Sequence, residues 1–292
     1  MTKALEPFYA NIQAHYDLSN DFYALFLDPS MTYSCAYFEP AGISLAAAQQ
    51  AKIDLSLDKC DLQPGHRLLD VGCGWGATIR RAVEQHGATA VGLTLSKAQA
   101  ALARERLADL GDRAEVRLQG WEEFDEPVDR IVSIGAFEHF REERYADFFA
   151  KMFRLLKPGA PMLLHSIVFA EDEVRERPGM AVTYEDVLFM KFIAKEIFPG
   201  GQLRPASQIC RYAEAAGFRV TRLHSLQQHY AQTLDCWAAS LEARREEAIE
   251  LTSPTTYETY KKYLMGCAGY FRRGAIDVVQ FSLLKPAVPV SS

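Results

Sequence analysis

Apolar positions change their period along this chain. Over residues 1–60 they fall at helical spacing and are rich in rings, with Phe8, Tyr9, Tyr16, Phe22, Tyr23, Phe26, Tyr33, Tyr37 and Phe38. Asp28-Pro29 and Glu39-Pro40 read as turns, and Ser44 supplies an N-cap for a helix over 45–57. This segment is expected to form a helical cap. From Arg67 onward the pattern becomes short apolar runs alternating with helical stretches. Strands are expected at 68–71, 88–93, 115–118, 130–134 and 162–168, and helices at 77–85, 97–110 and 145–155. That order predicts an α/β fold with a doubly wound parallel sheet. Lys157-Pro158-Gly159 is a tight stop before the fifth strand. Residues 171–204 break the alternation with a charged loop, an amphipathic helix near 184–196 and a Pro199-Gly200-Gly201 turn. Strands then resume at 218–226 and 278–284, with a long helical stretch over 233–263 between them, and no internal repeat is visible. The expectation is a single domain over 1–292. It comprises a helical cap (1–60), a cofactor-binding core (61–170), a substrate lid insert (171–210) and a C-terminal part of the core (211–292).

Composition narrows the function classes. A chain of 292 residues, 49% hydrophobic and 24% charged, is an ordinary globular protein that can bury one large core. Its formal net charge of -6 disfavours nucleic acid as a partner, because a phosphate backbone calls for a broad cationic surface. Residues 1–10 hold no apolar run fit for a signal peptide. The most apolar stretch, 162–170, is broken by His165 and Ser166 and is too short to span a bilayer. A cytoplasmic, non-transmembrane protein is expected. The six cysteines, Cys35, Cys60, Cys73, Cys210, Cys236 and Cys267, show no paired two-residue spacing, so reduced thiols and no metal are expected.

The chemistry starts at a glycine-rich turn. Leu68-Leu69-Asp70-Val71-Gly72-Cys73-Gly74-Trp75-Gly76 runs from a strand through the turn into a helix, where glycines allow a close approach that side chains would forbid. A dinucleotide is one ligand for such a loop. Asp70 immediately before the turn, and no further glycine at the pyrophosphate spacing, favour S-adenosylmethionine, which offers an ammonium and no phosphate. The second strand ends in Thr94-Leu95-Ser96-Lys97-Ala98-Gln99. It lacks the acid that many methyltransferases use for the ribose, so Thr94 and Gln99 are the expected substitutes. Trp121 and Glu122 after the third strand offer a ring face and an acceptor for adenine.

The chain resembles the mycobacterial mycolic acid methyltransferases, the group containing the cyclopropane mycolic acid synthases, and more distantly the bacterial cyclopropane fatty acid synthases. The likeness runs through Gln13-Ala14-His15-Tyr16-Asp17, Tyr33-Ser34-Cys35-Ala36-Tyr37-Phe38, the glycine turn, Gly92-Leu93-Thr94-Leu95-Ser96, Ile134-Gly135-Ala136-Phe137-Glu138-His139-Phe140, Glu196-Ile197-Phe198-Pro199-Gly200-Gly201, His229-Tyr230 and Tyr263-Leu264-Met265-Gly266-Cys267. It implies a class I S-adenosylmethionine-dependent methyltransferase fold, Rossmann-like, with a helical N-terminal cap and a substrate-binding insert. In enzymes it looks like, residues matching Tyr33, Ser34, Leu68 to Gly76, Thr94 to Gln99, Trp121 and Glu122 contact the cofactor. A bicarbonate ion is held by those matching Cys35, Glu138, His165 and Tyr230, with backbone near Ile134 and Gly135. Cys267 matches a cysteine commonly marked as catalytic. Gly135 stands where some relatives that make hydroxylated products carry glutamate, which favours ring formation or methyl branching.

The implied reaction is methylation of the double bond of a long meromycolyl-type acyl chain on acyl carrier protein. Methyl transfer leaves a carbocation, and ring closure needs a small base close by in a dry site. Bicarbonate is that base, Glu138 accepts its O–H, and His165 and Tyr230 donate. Tyr16, Tyr33 and Phe137 are candidate ring faces for the cation. Val187, Leu188, Met190, Phe192 and Ile193 in the insert are expected to line an acyl tunnel. Arg80-Arg81, Arg244-Arg245, Lys261-Lys262 and Arg272-Arg273 are candidate docking spots for an acidic carrier. Glu138 and His139 are read as starting a helix. Taken without the resemblance, His165 in an apolar strand and Cys267 after Gly266 read as core residues. Two other classes stay open: an O- or N-methyltransferase of a small polar metabolite, and a non-catalytic lipid- or carrier-binding module.

Overall fold

In the computed structural model, residues 18–176 and 182–287 are described. Phe8, Tyr9, Tyr16 and the 13–17 motif lie outside them.

The first described helix, α1 (Asn20–Ala24), starts at Ser19, whose side chain accepts a hydrogen bond from the Phe22 N–H. It drives Phe22, Tyr23 and Phe26 into a cluster with Trp237 and Tyr260. The cap is less helical than its sequence suggests, because residues 25–44 run as turns and extended chain. Its second helix, α2 (Leu45–Lys59), begins at Ser44 as expected.

The sheet follows: β1 (Arg67–Val71), β2 (Thr89–Thr94), β3 (Ala114–Leu118), β4 (Arg130–Ile134), β5 (Pro161–Phe169), β6 (Arg219–Ser225) and β7 (Ile276–Leu284). Helices α3 (Ala77–His86), α4 (Lys97–Arg106) and α5 (Tyr145–Leu155) connect the first five strands. Spatial order is β3-β2-β1-β4-β5-β7-β6. The first five strands pair in parallel, but β7 is antiparallel to both β5 and β6, so the sheet is mixed. Alternation of apolar residues reports burial and not direction, which is why the sequence does not reveal this reversal.

One face of the sheet packs on α5 through Phe148, Phe149 and Met152, and the other on α3 and α4 through Ile79, Val83 and Ala103. Chain order reverses between β1 and β4, where a doubly wound sheet opens a crevice at its carboxyl end.

Past β5 come α6 (Asp172–Arg175), α7 (Tyr184–Phe192), a π turn (Ile193–Ile197) and α8 (Ala206–Ala215). The expected helix at 97–110 stops at Arg106, and a 3-10 segment with Gly111 at φ 59° follows. The expected helix at 233–263 is three helices, α9 (Gln227–Ala243), α10 (Arg245–Leu251) and α11 (Pro254–Arg272). Ser253 accepts from Thr256 N–H and Pro254 opens α11, a start signal that breaks the long stretch.

Candidate functional site

Two cavities meet at the carboxyl end of β1 and β4. The first encloses about 1040 Å³, partly open to solvent, and the second about 2010 Å³ on the same measure. Tyr33, Gly135 and His139 line both, so the wall between the two is one residue thick at these positions.

The first cavity collects most of the residues expected at the cofactor. Tyr33, Ser34, Asp70, Val71, Gly72, Cys73, Gly74, Trp75, Thr94, Leu95, Gln99, Trp121 and Glu122 line it. Gly72 has φ +85°, and a Cβ there would lie 2.4 Å from the Ala136 Cβ, so only glycine lets β1 turn against the segment after β4. Leu68 and Leu69 sit behind the turn in the cores, Gly76 packs against Leu107, and Ser96, Lys97 and Ala98 form the start of α4. These six are absent from the lining. The Ser96 hydroxyl accepts from Gln99 N–H as an N-cap, while Thr94 Oγ1 donates to Gln99 Oε1 at 2.8 Å, coupling the two ribose candidates. Trp121 has its ring edge-on to Phe148, and Glu122 accepts from Arg144 at 2.7 Å, its other oxygen buried without a partner.

Sequence reading missed Lys52. It lies on the buried face of α2, 1% exposed, lines the first cavity and donates to Ser34 Oγ at 2.8 Å. Burial pulls its ammonium down to about 8 and pushes the Asp70 carboxyl, which it opposes, up to about 7. Asp70 Oδ2 is buried with no partner. A buried cation and an unsatisfied carboxylate in one cleft complement a zwitterion. The residues present therefore fit the amino-acid end of S-adenosylmethionine: Asp70 would hold its ammonium, and Lys52 with Ser34 its carboxylate. The available signal was a lysine at helical spacing on the buried stripe of Gln49, Ile53, Ser56 and Leu57.

The second cavity is lined mainly by apolar and aromatic side chains of the insert, α9 and α11, among them Phe189, Met190, Ile193, Phe198, Leu234 and Tyr263. Of the five insert residues expected there, Met190 and Ile193 line it; Leu188 turns to solvent, Phe192 packs beneath Lys262, and Val187 is not in the wall. Phe189 takes their place, stacked on Tyr270 with ring centroids 4.9 Å apart. Asp186 fastens α7 to α11 by accepting from Tyr270 Oη at 2.7 Å and from Arg273 at 2.6 Å.

Around the base candidates the placement is uneven. Glu138 and His139 lie in a single 3-10 turn (Phe137–His139), not at the start of a longer helix. Glu138 lines the second cavity; one oxygen accepts from Ile167 N–H at 3.0 Å, the other is buried without a partner, and burial pushes the carboxyl up to about 7. Tyr230 lines the same cavity with its ring against Phe271. His165 Nε2 is buried and unpartnered, and burial holds the ring well below its usual range, hence neutral. Glu138 thus keeps an unused acceptor and His165 an unused donor-capable nitrogen, the two kinds of group that a small hydrogen-carrying anion such as bicarbonate would need.

Cys35 and His165 are in neither cavity wall, and the Cys35 thiol donates to the Ala36 carbonyl. Ile134 lines the first cavity, and the Gly135 N–H donates to the His165 carbonyl, so that amide is already committed. Cys267 lines the second cavity as a thiol that burial pushes up to about 12, a poor nucleophile. Phe137 turns away from both cavities into the core against Tyr145, so it offers no face to a cation; Tyr33, which donates to the Tyr263 hydroxyl at 3.2 Å, and Tyr263 both line the second cavity. Most of the basic doublets are engaged within the chain: Arg80 with Asp109, Arg81 with Asp54, Lys261 with Glu242, Arg272 with Asp235 and Arg273 with Asp186. Among the described residues, no helix is long and apolar enough to cross a membrane.

The family described as mycolic acid cyclopropane synthetase matches residues 3–281. Cyclopropane mycolic acid synthase 3 of Mycobacterium tuberculosis is 54% identical over 287 residues, covering 98% of this chain and 100% of that protein. The structure of the cyclopropane synthase MmaA2 from the same species superposes with a TM-score of 0.95 at 52% identity, over 97% of this chain and 100% of that one. The mycolic acid cyclopropane synthase CmaA1, complexed with SAH and CTAB, gives 0.93 at 54% identity over the same shares.

Proposed function

From a chain that belongs to the mycolic acid cyclopropane synthetase family, and is thereby an S-adenosylmethionine-dependent methyltransferase, we propose an enzyme that methylates the double bond of a long acyl chain and closes a cyclopropane ring. The carrying observation is the large apolar cavity that touches the cofactor cleft at Tyr33, Gly135 and His139 and has the unpaired Glu138 oxygen buried beside it. A small polar metabolite would leave such a cavity unfilled.

When bound, S-adenosylmethionine supplies an electrophilic methyl group and bicarbonate a small base. Asp70, Lys52 and Ser34 orient the donor, and the narrow wall at Gly135 brings the olefin within reach of it. Phe198, Tyr263 and Phe189 exclude water, which would otherwise trap the carbocation as an alcohol. The faces of Tyr33 and Tyr263 stabilise that charge by about 0.5–2 kcal/mol per contact. Glu138 would accept from that base and His165, whose Nε2 is buried behind the cavity wall, would donate to it, while Tyr230 stands in the same cavity wall as Glu138. A base held there would be placed to take the proton of the new methyl as the ring closes. The acyl chain arrives on acyl carrier protein, and the reaction takes place in the cytoplasm, a compartment in which six free thiols persist.

The experiment combines isotopically labelled S-adenosylmethionine, an unsaturated acyl carrier and the enzyme, followed by mass spectrometry of the lipid. The expected product is heavier by one methylene and resists hydrogenation conditions that saturate an alkene. A methyl-branched olefin would replace ring closure with proton loss elsewhere, and no labelled lipid from any unsaturated chain would defeat the proposal.

A further inference from the structure

Helix α2 carries a polar stripe into an apolar interface, and its far end reaches β7. Gln49, Lys52 and Ser56 are fully buried, and Lys59 follows on the same side. Lys59 Nζ donates to Gln280 Oε1 at 2.5 Å, Gln280 Nε2 donates to Ser56 Oγ at 3.0 Å, and the same Nε2 lies 3.3 Å from His165 Nδ1. Gln280 stands directly opposite His165 in the β5–β7 pairing and opposite His224 in the β6–β7 pairing.

The orientation of the Gln280 amide is determined twice. An ammonium has only hydrogens to give, so the atom facing Lys59 is the carbonyl oxygen. The Ser56 hydroxyl hydrogen is committed to the Lys52 carbonyl at 2.7 Å, so toward Gln280 it can only accept. Both constraints turn the amide nitrogen to His165, whose Nδ1 must then be the acceptor. A neutral imidazole carries one ring proton, which leaves it on Nε2, the buried atom with no protein partner.

We propose that Lys59, Ser56 and Gln280 are positioning residues that lock His165 as the Nε2–H tautomer, so that this ring presents a hydrogen-bond donor to the anion held beside Glu138. The inference rests on the reading of His165 as a base-site residue. A locked donor favours an anion over a neutral water there and keeps the ring from taking up the proton itself.

The test uses the full chain saturated with S-adenosylhomocysteine and labelled with ¹⁵N-histidine, reading ring nitrogen shifts and their proton couplings. The His165 signals are assigned by their loss in His165→Asn. Wild type is expected to show Nε2–H. Gln280→Glu places an acceptor opposite Nδ1 and should move the proton there, with turnover falling about 10–100-fold, bicarbonate dependence weakened and S-adenosylhomocysteine affinity kept. Lys59→Met combined with Ser56→Ala removes both constraints, so that the amide can rotate, and should give a mixture of tautomers. Unchanged Nε2–H in both variants would overturn the lock. A switched tautomer with unaltered bicarbonate dependence would overturn its role in the reaction. Full turnover in His165→Asn would instead sink the base-site reading on which the proposal stands, whatever the spectra show.

Discussion

At the scale of single residues, Glu138 is where burial and chemistry meet. Its buried, half-satisfied carboxyl titrates at about 7, above the ordinary value of 4.5. The folded state therefore holds that proton more tightly than the unfolded chain, and the contribution to stability falls as pH rises from about 4.5 to about 7. Glu138→Gln should remove that fall, so the urea midpoint of the variant gains on wild type across the interval; a constant difference would contradict the assignment. The same variant should lose about 10²–10⁴-fold in turnover while binding S-adenosylhomocysteine normally, as followed by calorimetry. Lys52→Met should weaken S-adenosylhomocysteine by about tenfold or more, the scale of a charge-assisted contact. It should leave methylthioadenosine, which lacks the amino-acid end, unaffected; equal losses for both would make Lys52 a purely structural tie. The resemblance singled out Glu138, and its carboxyl lies in the wall of the second cavity. Lys52 was not legible in the sequence, since a lysine in a helix ordinarily reads as solvated and only its phase on the buried stripe betrays it. Phe137 misled for a related reason: one residue in a 3-10 turn can face either side of the strand end, and residue type does not say which.

At the scale of elements, packing holds the insert against the core. Helix α7 lies on α11 where Gly266 leaves room for Phe189, and a Cβ at 266 would sit 2.3 Å from that ring. Gly266→Ala should displace the ring from Tyr270, cost about 1–3 kcal/mol and lower kcat/KM for long acyl substrates more than for short ones; chain-length profiles check this. The hold of α7 on α11 also depends on Asp186. Burial alone would raise that carboxyl, but the Thr183 N–H, Tyr270 and Arg273 together hold it well below the carboxylate range. Helix starts were mostly readable, as Ser44, Ser96 and Thr183 all cap by accepting a backbone N–H. The breaks at Arg244 and Ser253 were harder, because helical period continues through both and only Ser253-Pro254 marks a new beginning.

Across the whole molecule, the parallel half of the sheet followed from alternating runs, whereas the antiparallel placement of β7 between β5 and β6 is a matter of long-range pairing that no local pattern encodes. Donor binding should stabilise this whole assembly: at a hundredfold excess over its Kd a ligand adds about 2.7 kcal/mol, which a thermal scan with S-adenosylhomocysteine should report as a rise of several degrees, and an unmoved transition would contradict a preformed cleft. The contact of two hollows across Tyr33, Gly135 and His139 carries a further consequence. A hybrid inhibitor, an adenosine head bridged to a hydrocarbon tail, would occupy both compartments at once, and tethering its halves should let it outcompete either half alone by far more than their separate affinities suggest.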